Sequence, residues 1–292
     1  MLRLALVMTL THFLSLGSAF KIGAFNIQAF GDSKMNKPEV APILLKVLSC
    51  YDIVLVQEVR DADLSAVTTL MNELNSQGSG DVFSHVVSDT LGRDTYTERY
   101  LFIYRNDKVS VEDSYHFHDH NMYTGEDTFS REPFVVRFNA PQTVIGSFVL
   151  VPLHAAPKDA VREIDALYDV YEDVWTKWET DNMIFLGDFN AACSYVSSSD
   201  WEHIRLRDEE VFSWLIEDSV DTTVGSTFCA YDRIVVCGSD LQEAIEPGSA
   251  KVFDFQKKYK LTSEQSCQGR HVFPRHIIAL CGGEHRENAA RR

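Results

Sequence analysis

Long apolar runs are absent from the body of this 292-residue chain. The one uniformly apolar stretch sits at the extreme N-terminus, so no membrane-spanning helix is expected beyond it. Basic charge is scarce: Lys and Arg total 27 against 43 Asp and Glu, a formal net charge of −16. That balance excludes a surface that attracts a polyanion as a whole and leaves only a local nucleic-acid site helped by metal. No repeat, low-complexity tract or Gly/Pro-rich linker divides the chain, which is read as one domain. No Asn-x-Ser/Thr acceptor occurs, so N-glycosylation is not expected. What is there, 45% hydrophobic and 24% charged residues, is the balance of a globular protein and excludes disorder and collagen-like repetition.

The N-terminus reads as an address. Arg3 supplies a positive n-region, Leu4 to Leu16 an apolar h-region, and Gly17-Ser18-Ala19 the small residues a signal peptidase accepts. Residues 1–19 are therefore expected to be a secretory signal peptide. Six cysteines suit the oxidising compartment this implies. Spacing does not choose among their pairings.

Short runs rich in β-branched and aromatic residues alternate with longer amphipathic stretches, which points to an α/β domain. Strands are expected at Ile22–Ile27, Ile53–Val56, Tyr100–Tyr104, Val135–Phe138, Phe148–Leu153, Met183–Leu186 and Arg233–Val236. Helices are expected at Val40–Ser49, Ala62–Asn75 and Ala160–Trp178. In the last of these, Val161, Ile164, Leu167, Tyr168, Tyr171 and Val174 recur at three- and four-residue steps. Four strands run into polar residues: Asn26, Glu58, His154, and the Asp188-Phe189-Asn190 segment. Buried strands do not keep charges inside, so such endings gather at one rim of a sheet and outline a shared crevice.

A crevice of carboxylates and amides without sulfur suits Mg²⁺ or Ca²⁺ and disfavours zinc. A hard cation beside a histidine points to phosphate chemistry, with metal neutralising oxygens and side chains moving protons. His154 needs an orienting carboxylate for that work, and spacing does not rank Glu98 against Asp232.

Leu55-Val56-Gln57-Glu58-Val59-Arg60-Asp61, Tyr96-Thr97-Glu98-Arg99-Tyr100, Phe129-Ser130-Arg131-Glu132-Pro133, Leu153-His154-Ala155-Ala156-Pro157, Gly187-Asp188-Phe189-Asn190-Ala191 and Cys229-Ala230-Tyr231-Asp232-Arg233 resemble, in order, the signature segments of the deoxyribonuclease I family. The resemblance runs from about Lys21 to Gln265 and implies a catalytic domain over residues 20–265. The implied fold is a four-layer sandwich of two packed mixed β-sheets flanked by helices, the endonuclease/exonuclease/phosphatase fold, with the site at one edge. The implied activity is metal-dependent hydrolysis of DNA to 5′-phosphate ends, using Mg²⁺ for chemistry and Ca²⁺ for rigidity.

Residue by residue, the resemblance implies Asn26, Glu58 and Asp188 as the metal set. It implies Glu98 and His154 as the acid/base pair, and Asp232 as the carboxylate orienting a second histidine. Arg60, Tyr96, Arg131, Asn190 and Tyr231 are implied DNA contacts, and Cys193–Cys229 is an implied disulfide. Calcium is implied at Asp127, Phe129 and Glu132, and at a second loop with Asp221, Thr223 and Thr227, where Gly225 replaces a usual threonine. Actin binding, known in some members, is not expected because Phe134 stands where a small residue favours it. The protein is expected to be monomeric.

Besides Gly225, the sequence departs from the family in two places. His116-Phe117-His118-Asp119-His120 carries no cysteine where a small disulfide loop is common. Its alternating histidines would form a soft-metal site on a strand, but a solvated loop is expected. After Gln265 the family's Ser-Asp-His segment is missing, and with it a metal-shell carboxylate and one imidazole. Residues 266–292 carry five Arg against two Glu and form a divergent basic tail. His276 is preferred over His271 as a substitute, because it precedes Ile277-Ile278-Ala279-Leu280, an apolar run able to replace the terminal strand. Cys50 and Cys237 are read as buried free thiols, while Cys267 and Cys281 have no assigned partners.

Overall fold

The computed structural model describes residues 19–77, 80, 82–93, 95–118, 127–224, 227–261 and 277–282. The expected signal peptide, His120, Gly225, Cys267, His271 and His276 lie outside them, apart from Ala19. Among the described residues, sheet one contains β1 (Phe20–Phe30), β2 (Ile53–Val59), β3 (Phe83–Val87), β4 (Arg99–Arg105), β11 (Lys251–Phe253) and β12 (Ile277–Gly282). Sheet two contains β5 (Ser110–His116), β6 (Phe134–Ala140), β7 (Gly146–Pro152), β8 (Met183–Asp188), β9 (Ser213–Trp214) and β10 (Asp232–Cys237). Their orders are β11-β12-β1-β2-β4-β3 and β5-β6-β7-β8-β10-β9. Both are mixed: β1 pairs parallel with β2 and β7 with β8, and the other pairings are antiparallel.

Side chains alternate across a strand, so one strand feeds two cores. Ile22, Ala24, Ile53 and Leu55 face the inter-sheet core with Phe102, Phe138 and Leu186. Phe25, Ile27, Val54 and Val56 face outward, under the helices Ala41–Leu48 and Ser65–Ser76. The second sheet is covered by the helix Ala160–Trp178, whose Ile164, Leu167, Val170 and Val174 are fully buried at helical spacing. Helix, sheet, sheet and helix make the expected four layers around three apolar cores.

All seven expected strands and all three helices are present, with ends shifted by a few residues. β3, β5, β9 and β11 were not expected. β5 alternates exposed and half-buried polar residues at a sheet edge, a pattern with little apolar content. The run Ile277–Leu280 lies in β12, hydrogen-bonded antiparallel to both β1 and β11. Ile278 and Leu280 join the inter-sheet core.

Cys50 is an exposed free thiol, not a buried one, because it follows the end of the helix Ala41–Leu48 in a turn. Cys237 is buried and free, and burial pushes its thiol up to about 12. His116 lies in β5, half-buried and stacked on Phe134, and its Nε2 accepts the Asp89 N–H at 3.1 Å. That nitrogen is thus taken, which disfavours a metal at the alternating histidines. Phe134 is buried in the inter-sheet core.

Leu280→Ala tests whether the tail strand belongs to the folded core. Urea denaturation is expected to show a loss of about 2–4 kcal/mol, the cost of deleting a buried leucine; a change within about 0.5 kcal/mol, typical of a surface site, would detach β12 from the fold.

Candidate active site at the sheet rim

The rim where β2, β7 and β8 end and β4 and β10 begin collects the polar residues singled out from sequence. Asn26, Glu58, Glu98, His154, Asp188, Asn190 and Asp232 are each at most 7% exposed. Glu98, just before β4 in sheet one, reaches across to His154, just after β7 in sheet two: its Oε1 lies 2.5 Å from Nδ1. Spacing left Glu98 and Asp232 unranked, and geometry selects Glu98. Arg131 closes the other side, with Nε 2.9 Å from the same Glu98 oxygen and an N–H donated to the His154 carbonyl at 2.9 Å.

These contacts set the titration of the pair. Burial pushes the Glu98 carboxyl up, but the His154 charge and hydrogen bond, with Arg131, leave it below its ordinary value. Burial pulls the His154 imidazole down, but the Glu98 charge and hydrogen bond leave it above its ordinary 6.5.

The other imidazole nitrogen faces the acidic pocket. Nε2 lies 3.9 Å from Glu58 Oε1 and 4.0 Å from Asp188 Oδ2. Asn26 donates to Asp188 Oδ2 at 3.2 Å, and Asn190 donates its side-chain amide to the Ala155 carbonyl at 2.8 Å. Glu58 Oε2 accepts from the Ala29 N–H and the Tyr96 hydroxyl, both at 3.1 Å. Glu58 and Asn190 hold left-handed backbone, φ 57° and 50°, and the β1–β2 and β2–β4 registers shift beside Glu58. Non-glycine residues are rarely found there, and such conformations gather at sites where the surroundings hold them.

The endonuclease/exonuclease/phosphatase family model matches residues 23–247. Deoxyribonuclease-1 of Mus musculus is 54% identical, covering 88% of this chain and 90% of that protein. Deoxyribonuclease-1-like 2 of Homo sapiens is 53% identical, covering 88% and 91%. The chain belongs to the endonuclease/exonuclease/phosphatase family, in its deoxyribonuclease I branch. Solved structures of low identity agree on the fold. The Bacteroides vulgatus endonuclease/exonuclease/phosphatase aligns with a TM-score of 0.60 at 16% identity, over 92% of this chain and 100% of that one. The D. rerio TDP2 complex with single-strand DNA product aligns at 0.58 and 14% identity, over 91% and 99%.

Asp232 stands directly opposite Asp188 in the β8–β10 register. The Thr222 hydroxyl accepts the N–H groups of Tyr231 and Asp232, each at 3.1 Å. The Cys193–Cys229 disulfide is present, with Cα atoms 6.0 Å apart, and joins the loops on either side of Asn190 and Asp232. Tyr231 stacks on Tyr195 at 5.3 Å between centroids. Arg60 stacks on the half-exposed Tyr96 ring at 3.9 Å. Arg131 is not displayed outward; it is packed against Glu98 and His154.

The implied calcium residues divide. Asp221, Thr223 and Thr227 share one turn, in which the Thr223 hydroxyl donates to Asp221 Oδ1 at 2.7 Å and to the Thr227 carbonyl. The Asp127 carboxylate is instead paired with Arg93 at 3.0 Å. A separate acidic cluster, Asp32, Asp61 and Asp63, has its own internal donors, the Ser65 hydroxyl and the Val67 N–H.

Sequence reasoning passed over Gln57. Its fully buried side chain donates to the Leu153 carbonyl at 2.8 Å and accepts the Asp188 N–H at 2.9 Å. One amide thus ties the strand bearing Glu58 to the segments bearing His154 and Asp188. A lone amide inside the apolar β2 run was the available signal. Gly187 makes room for it, since a Cβ there would lie 2.6 Å from Gln57 Nε2 and 2.5 Å from the Leu153 carbonyl, at φ +130°. Lys34 was also missed: it is buried near Glu58, with its ammonium on the Ile27 carbonyl, and burial lowers it to about 8.

The Glu98–His154 contact predicts a specific titration. In NMR spectra His154 is expected to titrate above 6.5 and to shift down in Glu98→Gln, because the partner charge is gone while burial remains. An unshifted midpoint in that variant would show that the pair does not interact as described.

Proposed function

We propose that this protein is a secreted endonuclease, dependent on Mg²⁺ and supported by Ca²⁺, that hydrolyses DNA phosphodiester bonds to 5′-phosphate ends with little sequence specificity. The observation that carries this reading is the buried His154, held by Glu98 on one nitrogen and facing Glu58 and Asp188 with the other.

The donor set fits a hard cation. Glu58 and Asp188 supply carboxylate oxygens within 4.0 Å of one imidazole nitrogen, and Asn26 and Asn190 supply amides, so the donors in this set are hard oxygen and amide groups. Glu58 and Asp188 would hold the ion, with Asn26 beside them. When bound, a divalent ion supplies charge stabilisation at the phosphate oxygens and leaving group. His154 Nε2 exchanges the proton of the attacking water or the leaving oxygen. Glu98 keeps Nδ1 protonated and stabilises the imidazolium, while Arg131 holds Glu98 and the His154 backbone in place. Asn190, next to Asp188, is assigned to the scissile phosphate. Asp232 is assigned to a second imidazole.

Arg60 on Tyr96, with Tyr231, would meet the DNA backbone and groove by shape rather than base edges, which accounts for low specificity. Local arginines suffice for an acidic protein, because distant charge is screened beyond about 8 Å at physiological salt. Calcium is assigned to the Asp221–Thr223–Thr227 turn in preference to Asp127, which Arg93 occupies. The Cys193–Cys229 disulfide and the N-terminal apolar run support secretion.

A second reading rests on the missing Ser-Asp-His segment: a weakened member that binds DNA and turns it over slowly or not at all. Plasmid nicking separates the two. Activity in Mg²⁺ plus Ca²⁺ is expected, abolished by chelator and lowered about 10²–10⁴-fold in His154→Ala, the range for losing an acid/base group. DNA binding without nicking would favour the second reading.

A further inference from the structure

Two arginines cross in opposite directions between the loop that ends at Glu98 and the segment that ends at Arg131, and the mechanism proposed for the site uses only one of them. The first loop is closed at its base: the Leu91 N–H donates to the Glu98 carbonyl at 2.8 Å, and the Glu98 N–H donates to the Leu91 carbonyl at 3.0 Å. Gly92 makes it tight, at φ +133°, where a Cβ would lie 2.7 Å from the Tyr96 carbonyl. Arg93, Tyr96 and Glu98 therefore share one small loop.

From that loop Arg93 reaches across. Its Nε donates to Asp127 Oδ2 at 3.0 Å, and its Nη2 donates to the Phe129 carbonyl at 2.9 Å and to the Asp127 carbonyl. From the other side Arg131 reaches back, with Nε 2.9 Å from Glu98 Oε1 and Nη1 donating to the His154 carbonyl at 2.9 Å. Phe129 lies between the two contacts, fully buried and edge-to-face on Phe117 at 5.9 Å between centroids. A single buried ring leaves the backbone free to rotate about it. A guanidinium on the carbonyl of the same residue removes that freedom two residues before Arg131.

We infer that Arg93 is a positioning residue for the reaction: its guanidinium fastens residues 127–129 to the loop bearing Glu98, and so holds Arg131 where it clamps Glu98 and the His154 backbone. This rests on the assignment of Glu98 and His154 as the proton-transferring pair. The physical reason is the shape of the cation. A planar guanidinium presents its donors in fixed directions and meets a carboxylate and two carbonyls together, which a compact ammonium does not. Global stability gains little from it, because the Arg93 and Asp127 side chains are 35% and 40% exposed and exposed ion pairs contribute weakly. Alignment of the loops is what the contact supplies.

The test is plasmid nicking by the full chain, by Arg93→Gln, by Arg131→Gln and by the double variant, at saturating Mg²⁺ and Ca²⁺, with kcat and KM separated. Arg93→Gln is expected to lower kcat about tenfold, the value of one charge-assisted hydrogen bond lost in the transition state. KM should stay within about twofold, because Tyr96 keeps its own anchors, the hydroxyl on Glu58 and Arg60 on the ring. In the Arg131→Gln background the same change should cost nothing further, since the group it acts through is already gone. The melting temperature should remain within about 4 °C of the wild type, as for an exposed ion pair. Arg93→Lys keeps a charge for Asp127 but not the fork that spans both carbonyls, and should fall only about threefold. It decides the matter if the glutamine variant does not fold.

A raised KM at unchanged kcat would make Arg93 a direct DNA contact. Losses that multiply with Arg131→Gln, or that follow melting temperature, would make it a general scaffold residue. Either result overturns the inference. Amide hydrogen exchange gives a reading that needs no turnover: residues 127–132 should exchange about threefold faster or more in Arg93→Gln, and unchanged rates would also overturn it. A wild type that nicks no DNA would overturn the proposed function instead, and exchange then still decides whether Arg93 holds the two loops together.

Discussion

A carboxylate from one sheet and an imidazole from the other meet inside this protein, and much of the site's geometry follows from that contact. Burying either charge alone would cost several kcal/mol, and removing one partner of such a pair is typically destabilising by about 3–5 kcal/mol. Glu98 is tolerated because its carboxylate lies between two cationic groups, the His154 imidazole and the Arg131 guanidinium, and His154 because that carboxylate holds its charge. The contact fixes how the two sheets sit at this rim. It also leaves a single imidazole nitrogen aimed at Glu58 and Asp188. Packing constraint and chemical readiness are the same interaction.

A second tie, of neutral groups, lies beside the first. The Gln57 amide satisfies a carbonyl next to His154 and an N–H at Asp188, closing backbone groups that would otherwise be orphaned where β7 and β8 diverge. It fits only because Gly187 carries no side chain. The left-handed backbone at Glu58 and Asn190 turns their side chains into the crevice. Local strain of about 1–3 kcal/mol at each such position is held by these surrounding bonds. The rim is thus preorganised by an ionic pair, an amide bridge and two forced backbone turns.

Much of this was legible from residues in order. Runs such as Ile53–Val56 and Met183–Leu186 announced themselves as strands because burial on both faces demands a continuous apolar run, and the polar residues after each run marked the rim. The long helix showed its face through Ile164, Leu167 and Val174. β5 was not legible because its polar edge-strand side chains resemble a loop, and β3, although it carries Phe83, Val86 and Val87, is a five-residue edge strand too short to stand out. The partner of His154 was not legible from spacing either: Glu98 and Asp232 come from different sheets, and only the packing of those sheets brings Glu98 to Nδ1. Arg131 was expected at the DNA surface because the family resemblance implies a DNA contact at that position. Here two buried acceptors hold it inside. Cys50 was misread because a small apolar residue after a helix gives no sign of which way its turn opens.

Turnover depends on Glu98 acting through His154. A double-mutant cycle on nicking rates, using Glu98→Gln, His154→Ala and the double variant, measures that directly. If the two side chains are one unit, the double variant loses no more than His154→Ala alone. Losses that multiply would show two independent contributions and contradict the account.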